Sequence, residues 1–188
     1  IMDQNKRRLF DSEKNEYTFR TLKSLIRSTE LAKDKFPDIY FKIIVTDTNS
    51  SKEDISRMKE LLSRTEVDGS LNVVDLKSFE SKIKAGYSKA KTSNMANFYN
   101  SLLIAKNEDA DIIYFVEDDY IHSKDAITEM IFSYEKFSTI FEDDLVLLPS
   151  DYPYLYTKDD LTKIYLGEKY HWRLVSESLV TFMTSKNL

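Results

Sequence analysis

Three adjacent carboxylates follow an apolar run near the middle of the chain. The segment Asp111–Tyr120 contains Ile, Ile, Tyr, Phe and Val before the acids, and these residue types predict a buried strand. Glu117, Asp118 and Asp119 then stand at its carboxyl end, where they repel one another unless a cation neutralises them. Because carboxylate oxygens suit Mg²⁺ or Mn²⁺ and strand ends are ligand sites in α/β sheets, the pattern predicts a divalent metal that holds a phosphorylated substrate.

Asp119 is the strongest candidate among these three metal ligands. In an extended strand Glu117 and Asp119 share one face and Asp118 takes the other. A turn after Asp118 would instead bring Asp118 and Asp119 together. Asp119 belongs to both arrangements, and Glu117 is the second predicted ligand. The alternative is a solvated acidic turn before the next helix, whose N-terminus attracts negative charge.

Two further groups could meet a nucleotide. Asp47 ends a second apolar run and could accept hydrogen bonds from a base or a ribose hydroxyl. Its alternative is a turn in which the carboxylate bonds its own backbone. Lys84, Lys89 and Lys91 precede a helix predicted to begin at Ser93, where cations and a helix N-terminus could attract phosphate. An ordinary solvated basic loop is the alternative there.

The segment His171-Trp172-Arg173 contains the only Trp and one of the two His of the chain. His is a frequent acid, base or metal ligand, Trp could stack on a sugar, and Arg could bind phosphate in a bidentate manner. Alternatively the Trp anchors the last strand. Glu177 precedes an apolar run and is a candidate general base, with an ordinary surface Glu as the alternative.

Composition excludes several classes of function. The net charge is −5 and the pI about 5.2, which argues against a nucleic-acid partner. The absence of Cys excludes disulfides and thiolate zinc sites and favours a reducing, cytoplasmic compartment. No apolar run is long enough for a transmembrane segment. With three Gly, a glycine-rich phosphate-binding loop is excluded as well.

Strands and helices alternate over roughly the first 140 residues, which predicts parallel strands joined by right-handed crossovers. The expected fold is a single α/β domain over residues 1–188, a three-layer α/β/α sandwich around a mixed, mostly parallel Rossmann-like sheet. Ile1-Met2 is interpreted as the end of an incomplete first strand. The predicted elements, in order, are helix 16–35, strand Phe41–Asp47, helix Ser51 to about Arg64, strand Leu71–Leu76 after an Asp68-Gly69 turn, a helix from Ser93, strand Asp111–Val116, a helix from Ser123, strand Leu145–Leu148, a short helix near Asp159–Tyr165 and strand Leu174–Thr184.

The order of these features resembles glycosyltransferase family 2, whose members have the A-type glycosyltransferase (GT-A) fold. In that family a first strand leads to a loop ending in Asn-Arg, which Asp3–Arg7 resembles. A later strand ends in Asp, like Asp47, and a helix carries an Ala-x-Asn or Ala-Arg-Asn pattern, like Met95-Ala96-Asn97. The metal strand has the form Tyr-x-Phe-x-Asp-x-Asp-Asp, which Tyr114–Asp119 resembles with Glu in the first acidic place.

The resemblance implies transfer of a sugar from a nucleotide-diphosphate sugar to a glycan, lipid-linked or protein acceptor, usually with inversion, and with Mn²⁺ or Mg²⁺ as cofactor. Residues 1–120 would form the nucleotide-sugar part and residues 121–188 the acceptor side. The chain ends soon after the last strand, so a peripheral membrane association would come from other parts of a larger protein. The implied residues are Asp3, Asn5, Arg7, Asp47, Lys91, Asn97 and Asp118 for the donor, Asp151, Trp172 and Arg173 for the acceptor, and Glu177 or His171 as the base.

Other hypotheses remain. A sugar nucleotidyltransferase would need a glycine-rich first loop, which the sparse Gly content disfavours. A phosphorelay receiver domain would carry its acid cluster near the start of the domain, whereas this cluster lies past the middle. A non-catalytic binding or assembly module is compatible with the sequence because the catalytic base is not clearly present.

Overall fold

The structure, a computed structural model, has four α-helices and seven short strands among the residues it describes, which are 12–83, 85–150, 152, 156–157, 162–177 and 179–188. The helices are α1 (Lys14–Lys35), α2 (Lys52–Ser63), α3 (Lys89–Asn107) and α4 (Ala126–Phe141), with a 3₁₀ helix at Leu76–Lys82. The strands are β1 (Lys42–Asp47), β2 (Asp68–Val73), β3 (Ile112–Phe115), β4 (Val146–Leu147), β5 (Ile164–Leu166), β6 (His171–Arg173) and β7 (Phe182–Ser185).

The predicted three-layer sandwich with a mostly parallel sheet is wrong. The strands form three separate sheets, ordered β1-β2, β3-β7-β4 and β5-β6. Only the β1-β2 pair is parallel, whereas β3 pairs antiparallel with β7, from Ile112 opposite Ser185 to Phe115 opposite Phe182. The alternation along the sequence indicates where strands occur, but β7 comes from the far end of the chain, and this long-range partner replaces the expected parallel neighbour of β3.

Two apolar clusters hold the elements together. The first packs α1, α2 and β1 around buried Phe19, Leu22 and Met58. The second packs α4, β4 and β7 around buried Met130 and Phe137, and Ala32 of α1 belongs to it. Because α1 contributes to both clusters, it fixes the start of α4 relative to β1.

Several predicted boundaries are confirmed. Helix α1 spans the predicted 16–35 region and ends at Lys35, before Pro37. Ser51 caps α2 by accepting a hydrogen bond from the backbone N–H of Asp54 at 3.0 Å, as its capping-box pattern indicates. The short strand predicted at Leu145–Leu148 is β4.

The predicted Asp68-Gly69 turn is instead the start of β2. A Cβ on Gly69 would lie 3.1 Å from two side-chain atoms of Leu62, so glycine allows β2 to approach α2 closely.

Helix α3 begins earlier than predicted, at Lys89, because Ser88 rather than Ser93 accepts the capping hydrogen bond. The buried face of α3 contains Ser93 and Ala96, whereas the larger apolar side chains of Met95 and Leu102 are exposed. Small side chains on this face let α3 approach the β1 backbone.

The last third differs most from expectation. Ile164 and Tyr165, the end of the predicted short helix, lie in strand β5, and residues 159–161 of that helix lie outside the described part of the chain. The predicted strand Leu174–Thr184 is reduced to β7 at Phe182–Ser185. Among the described residues, no helix combines the length and apolar character needed to cross a membrane.

Candidate functional site

The three acids form a loop that follows β3, here called the acid loop (Glu117–Asp119). The backbone N–H of Glu117 donates to Thr181 Oγ1 at 3.2 Å, which ties the loop to the residue before β7. Burial, and then the charges of Asp119 and Asp118, raise the pKa of the half-buried Glu117 carboxyl. The folded protein therefore disfavours the ionised form of the Glu117 carboxyl.

Helix α1 holds the acid loop from the other side. Thr18 Oγ1 donates to Asp118 Oδ2 at 3.0 Å, and Lys14 Nζ lies 3.4 Å from the same oxygen. Farther along α1, Ser24 Oγ accepts from the backbone N–H of His122 at 3.0 Å. These contacts hold Asp118 against α1.

Two carboxylates of the acid loop could contribute to a cation site that a bound substrate completes. The described residues contain no group of three His, Cys, Asp or Glu arranged to enclose a metal, so a cage made of protein ligands alone is not formed by that part of the chain. Glu117 and exposed Asp119 provide two hard carboxylates, and Mg²⁺ is commonly held by one or two carboxylates plus substrate phosphates and water. These residues could hold Mg²⁺ or Mn²⁺ in that manner.

Replacing Glu117 with glutamine is expected to stabilise the metal-free protein at neutral pH. Because the folded state raises the pKa of Glu117 above its ordinary value of 4.5, its ionisation weakens folding above that folded pKa, and the penalty disappears below the ordinary value. Urea unfolding should show Glu117→Gln to be more stable than the parent at pH 7, with the difference vanishing near pH 4. Mn²⁺ should stabilise the parent and not the variant, and an equal Mn²⁺ effect on both would contradict the ligand assignment.

A hydroxyl cluster joins the acid loop to its neighbours. The hydroxyl of Tyr120, directly after Asp119, hydrogen-bonds to the hydroxyl of Tyr152. Burial, followed by the charge of Glu117, raises the pKa of Tyr120, and nearby Ser150 and Thr181 oppose that shift. Ser150 and Tyr152 also line a cavity, so this cluster lies between the acid loop and the cavity.

This cavity, called here the α4 cavity, has a volume of about 470 Å³ and lies among α4, β4, β5, β6 and the segment 174–179. Its lining is mostly aliphatic and aromatic, and its volume lies within the range typical of small-molecule sites. The predicted base candidates Glu177 and His171 both line it, as do Trp172 and Arg173. Sequence reasoning thus named four residues of one cavity without indicating the cavity itself.

Trp172 and Arg173 of β6 contact different neighbours. Trp172 faces α4, where its ring centroid lies 6.4 Å from that of Phe137. The Arg173 guanidinium lies 4.1 Å from the centre of the Tyr156 ring. Trp172 is thus largely a packing residue that shows one side to the cavity.

Glu129 is a buried carboxylate that sequence reasoning missed. Burial opposes its ionisation, but donors outweigh that effect and its pKa is lowered. The donors are Trp172 Nε1 at 3.0 Å, Ser133 Oγ at 3.1 Å and the backbone N–H groups of Glu168 and Lys169 at 3.2 and 2.8 Å. The sequence signal that could have revealed Glu129 is its position among the apolar residues on the buried face of α4. Its role is to hold the turn between β5 and β6, which shapes one wall of the cavity.

Three predicted donor-binding residues lie at the end of β1 or within α3, and each contacts a neighbour in the fold. Asp47 accepts from the Ser50 N–H at 3.1 Å and its hydroxyl at 2.5 Å. Lys91 Nζ lies 3.9 Å from the centre of the Tyr87 ring. Asn97 Nδ2 donates to the Thr46 carbonyl at 3.1 Å, while its buried Oδ1 has no partner.

The remaining predicted residues Asp3, Asn5, Arg7, Lys84 and Asp151 lie outside the described residues. Their predicted contacts, like the donor-binding role of Asp118, stay predictions.

Comparison of the chain with protein-family models, curated proteins and solved structures finds no match.

Proposed function

We propose that this protein is a metal-dependent glycosyltransferase that moves a sugar from a nucleotide-diphosphate sugar to an acceptor hydroxyl. The observation that carries the proposal is the junction at Tyr120, where the acid loop, in which burial and neighbouring acids raise the pKa of Glu117, adjoins a cavity lined with aromatic side chains. A diphosphate held by a cation at Glu117 and Asp119 would face an acceptor in the α4 cavity across this boundary. The described residues do not form a parallel three-layer sheet, so the proposal rests on the site and not on that fold.

The reaction divides between the two parts of the site. A bound Mg²⁺ or Mn²⁺ offsets the charge of the diphosphate leaving group. The acceptor oxygen forms a bond to the anomeric carbon while the bond from that carbon to the diphosphate breaks, and its electron pair leaves with the diphosphate. Glu177 receives the acceptor proton. Thr181 binds the acid loop and lies four residues after Glu177, which limits their separation to about 14 Å of extended chain. His171 is the second candidate for the base.

The resemblance to glycosyltransferase family 2 supports the same reaction and suggests inversion at the anomeric carbon. Glycan, lipid-linked and protein acceptors all agree with that resemblance. A cytoplasmic location, with membrane association through other parts of a larger protein, is proposed on the composition and the resemblance alone.

A non-catalytic binding module is the second candidate. The local contacts of Asp47, Lys91 and Asn97 favour it, because each of these predicted donor-binding side chains contacts a neighbour in the fold. Under this hypothesis the cavity would bind a ligand without turnover.

Calorimetric titration with UDP, GDP and CDP, each with and without Mn²⁺, tests the proposal. We expect one nucleotide to bind only when Mn²⁺ is present, and the matching nucleotide sugars should then release nucleoside diphosphate in the presence of an acceptor. Failure of all three nucleotides to bind would contradict the proposed reaction. Binding without any turnover of the nucleotide sugars would favour the non-catalytic module.

A further inference from the structure

The α4 cavity has hydroxyl groups at one end and aromatic side chains at the other, and the ionisable residues Glu129, His171, Arg173 and Glu177 also line it. The hydroxyl end contains Ser123, Ser150 and Tyr152, and the Tyr152 hydroxyl hydrogen-bonds to that of Tyr120 beside the acid loop. The other end contains Phe141 and Tyr165, whose ring centroids are 5.2 Å apart. The ends lie at opposite ends of α4, so they are separated by about 22 Å at 1.5 Å per residue.

Apolar side chains at the rim of the cavity extend this gradient to the surface. Phe141, Val146 and Leu174 line the cavity and are nevertheless exposed, with 42%, 44% and 56% of their surfaces accessible. Exposed apolar side chains that continue an apolar cavity mark a ligand or interaction site more often than isolated ones do.

From this polarity we infer that the acceptor is a single-chain amphiphile, with a hydroxyl-bearing head at the Tyr120 end and a hydrocarbon tail along α4 toward Phe141. This inference deepens the proposed function and rests on it for the word acceptor, although binding itself needs neither donor nor metal. A tail in the cavity would cover the apolar lining, which a free sugar could not do. The polar end would leave the head hydroxyl next to the boundary with the acid loop.

Trp172 gives a direct readout, because it is the only Trp of the chain and lines the cavity. We expect octyl glucoside, titrated below its micelle-forming concentration, to change Trp172 fluorescence with saturation. Methyl glucoside, which has the same head without the tail, should bind at least about 10-fold more weakly. Equal responses to the two glucosides, or no response to either, would overturn the inference.

Leu174→Asp and Leu166→Asp form a matched pair of variants. Leu174 lines the cavity and is 56% exposed, whereas Leu166 is 70% exposed on the neighbouring strand and does not line it. A carboxylate tolerates exposed positions but not contact with a hydrocarbon tail. Leu174→Asp should weaken octyl glucoside binding at least about 10-fold, and Leu166→Asp less than about twofold. Similar weakening by both variants would contradict the cavity assignment.

The outcomes separate this inference from the proposed function. Octyl glucoside binding with no sugar transfer from any nucleotide sugar would contradict the proposed reaction and leave the amphiphile site in place. Transfer to methyl glucoside with the same kcat/KM as to octyl glucoside would contradict the amphiphile inference and leave the proposed reaction in place.

Discussion

Asp119→Ala is expected to lower kcat/KM for sugar transfer by at least about 100-fold, the usual effect of removing one group that stabilises charge in a transition state. Asp119 is exposed in the acid loop. After burial, its charge is the largest cause of the raised pKa of Glu117. Removing it would leave Glu117 as the single carboxylate of the proposed pair. Calorimetry with the binding nucleotide and Mn²⁺ should then show no metal-dependent heat.

Asp111→Asn provides the matched control for this prediction. Asp111 is an exposed carboxylate at the opposite end of β3, and its backbone carbonyl accepts from the Lys186 N–H at 2.9 Å, a bond that the substitution keeps. This variant should bind nucleotide and Mn²⁺ like the parent. Unchanged metal-dependent binding in Asp119→Ala would reject the metal assignment, and equal loss in both variants would indicate a general effect of surface charge.

Gly167→Ala is expected to lower the free energy of unfolding by about 3 kcal/mol, because the turn would have to move away from a buried carboxylate. A Cβ at this position would lie 2.6 Å from Ser133 Oγ and 2.7 Å from Trp172 Nε1, and closer still to Glu129 Oε1. Any shift that relieves the clash breaks hydrogen bonds to Glu129 and leaves that buried group under-satisfied. Urea unfolding measures the loss, and Trp172 fluorescence reports the local change.

Gly86→Ala separates this clash from the general cost of replacing a glycine. Gly86 has φ +87°, but a Cβ there would meet nothing within 4 Å. We expect a cost of about 1 kcal/mol from the left-handed backbone alone, with no change in Trp172 fluorescence. If Gly167→Ala cost no more than Gly86→Ala, the close packing of the β5-β6 turn on Glu129 would be disproved.

A shift in Tm gives a second measure of the same difference. For a chain of this size a loss of 1 kcal/mol lowers Tm by about 2–4 °C. Gly167→Ala should therefore melt roughly 6–12 °C below the parent, and Gly86→Ala within about 4 °C of it.

Local patterns in the sequence predicted elements well where the signal lies within a few residues. The apolar spacing of α1 and the Ser51 cap of α2 depend on neighbours one turn away, and both are confirmed. The apolar run that ends in Glu117 is likewise a strand followed by a loop, as β-branched and aromatic residues indicate. Interactions between residues this close depend only on the local sequence, so they can be predicted from a single chain.

Pairings and contacts between distant residues could not be read in this way. Alternating strands and helices suggested a parallel sheet, yet β7 adds to β3 in the antiparallel sense. In the same manner, the hydrogen bond from Trp172 Nε1 to Glu129, 43 residues away, could not be predicted from the neighbours of either residue. Which strands pair and which distant side chains meet depends on the packing free energy of the whole fold. A local sequence pattern does not specify that free energy.

By itself the sequence determined which residues could do chemistry: a strand that ends in three carboxylates, a lone Trp between His and Arg, and a chain without Cys. Only the tertiary structure decided how they are grouped. It directs Asp118 to α1, places Glu117 and Asp119 beside Tyr120, and gathers Glu177 and His171 around a cavity along α4. The physical reason is that residue type sets what a side chain can bind, whereas long-range packing sets which side chains meet.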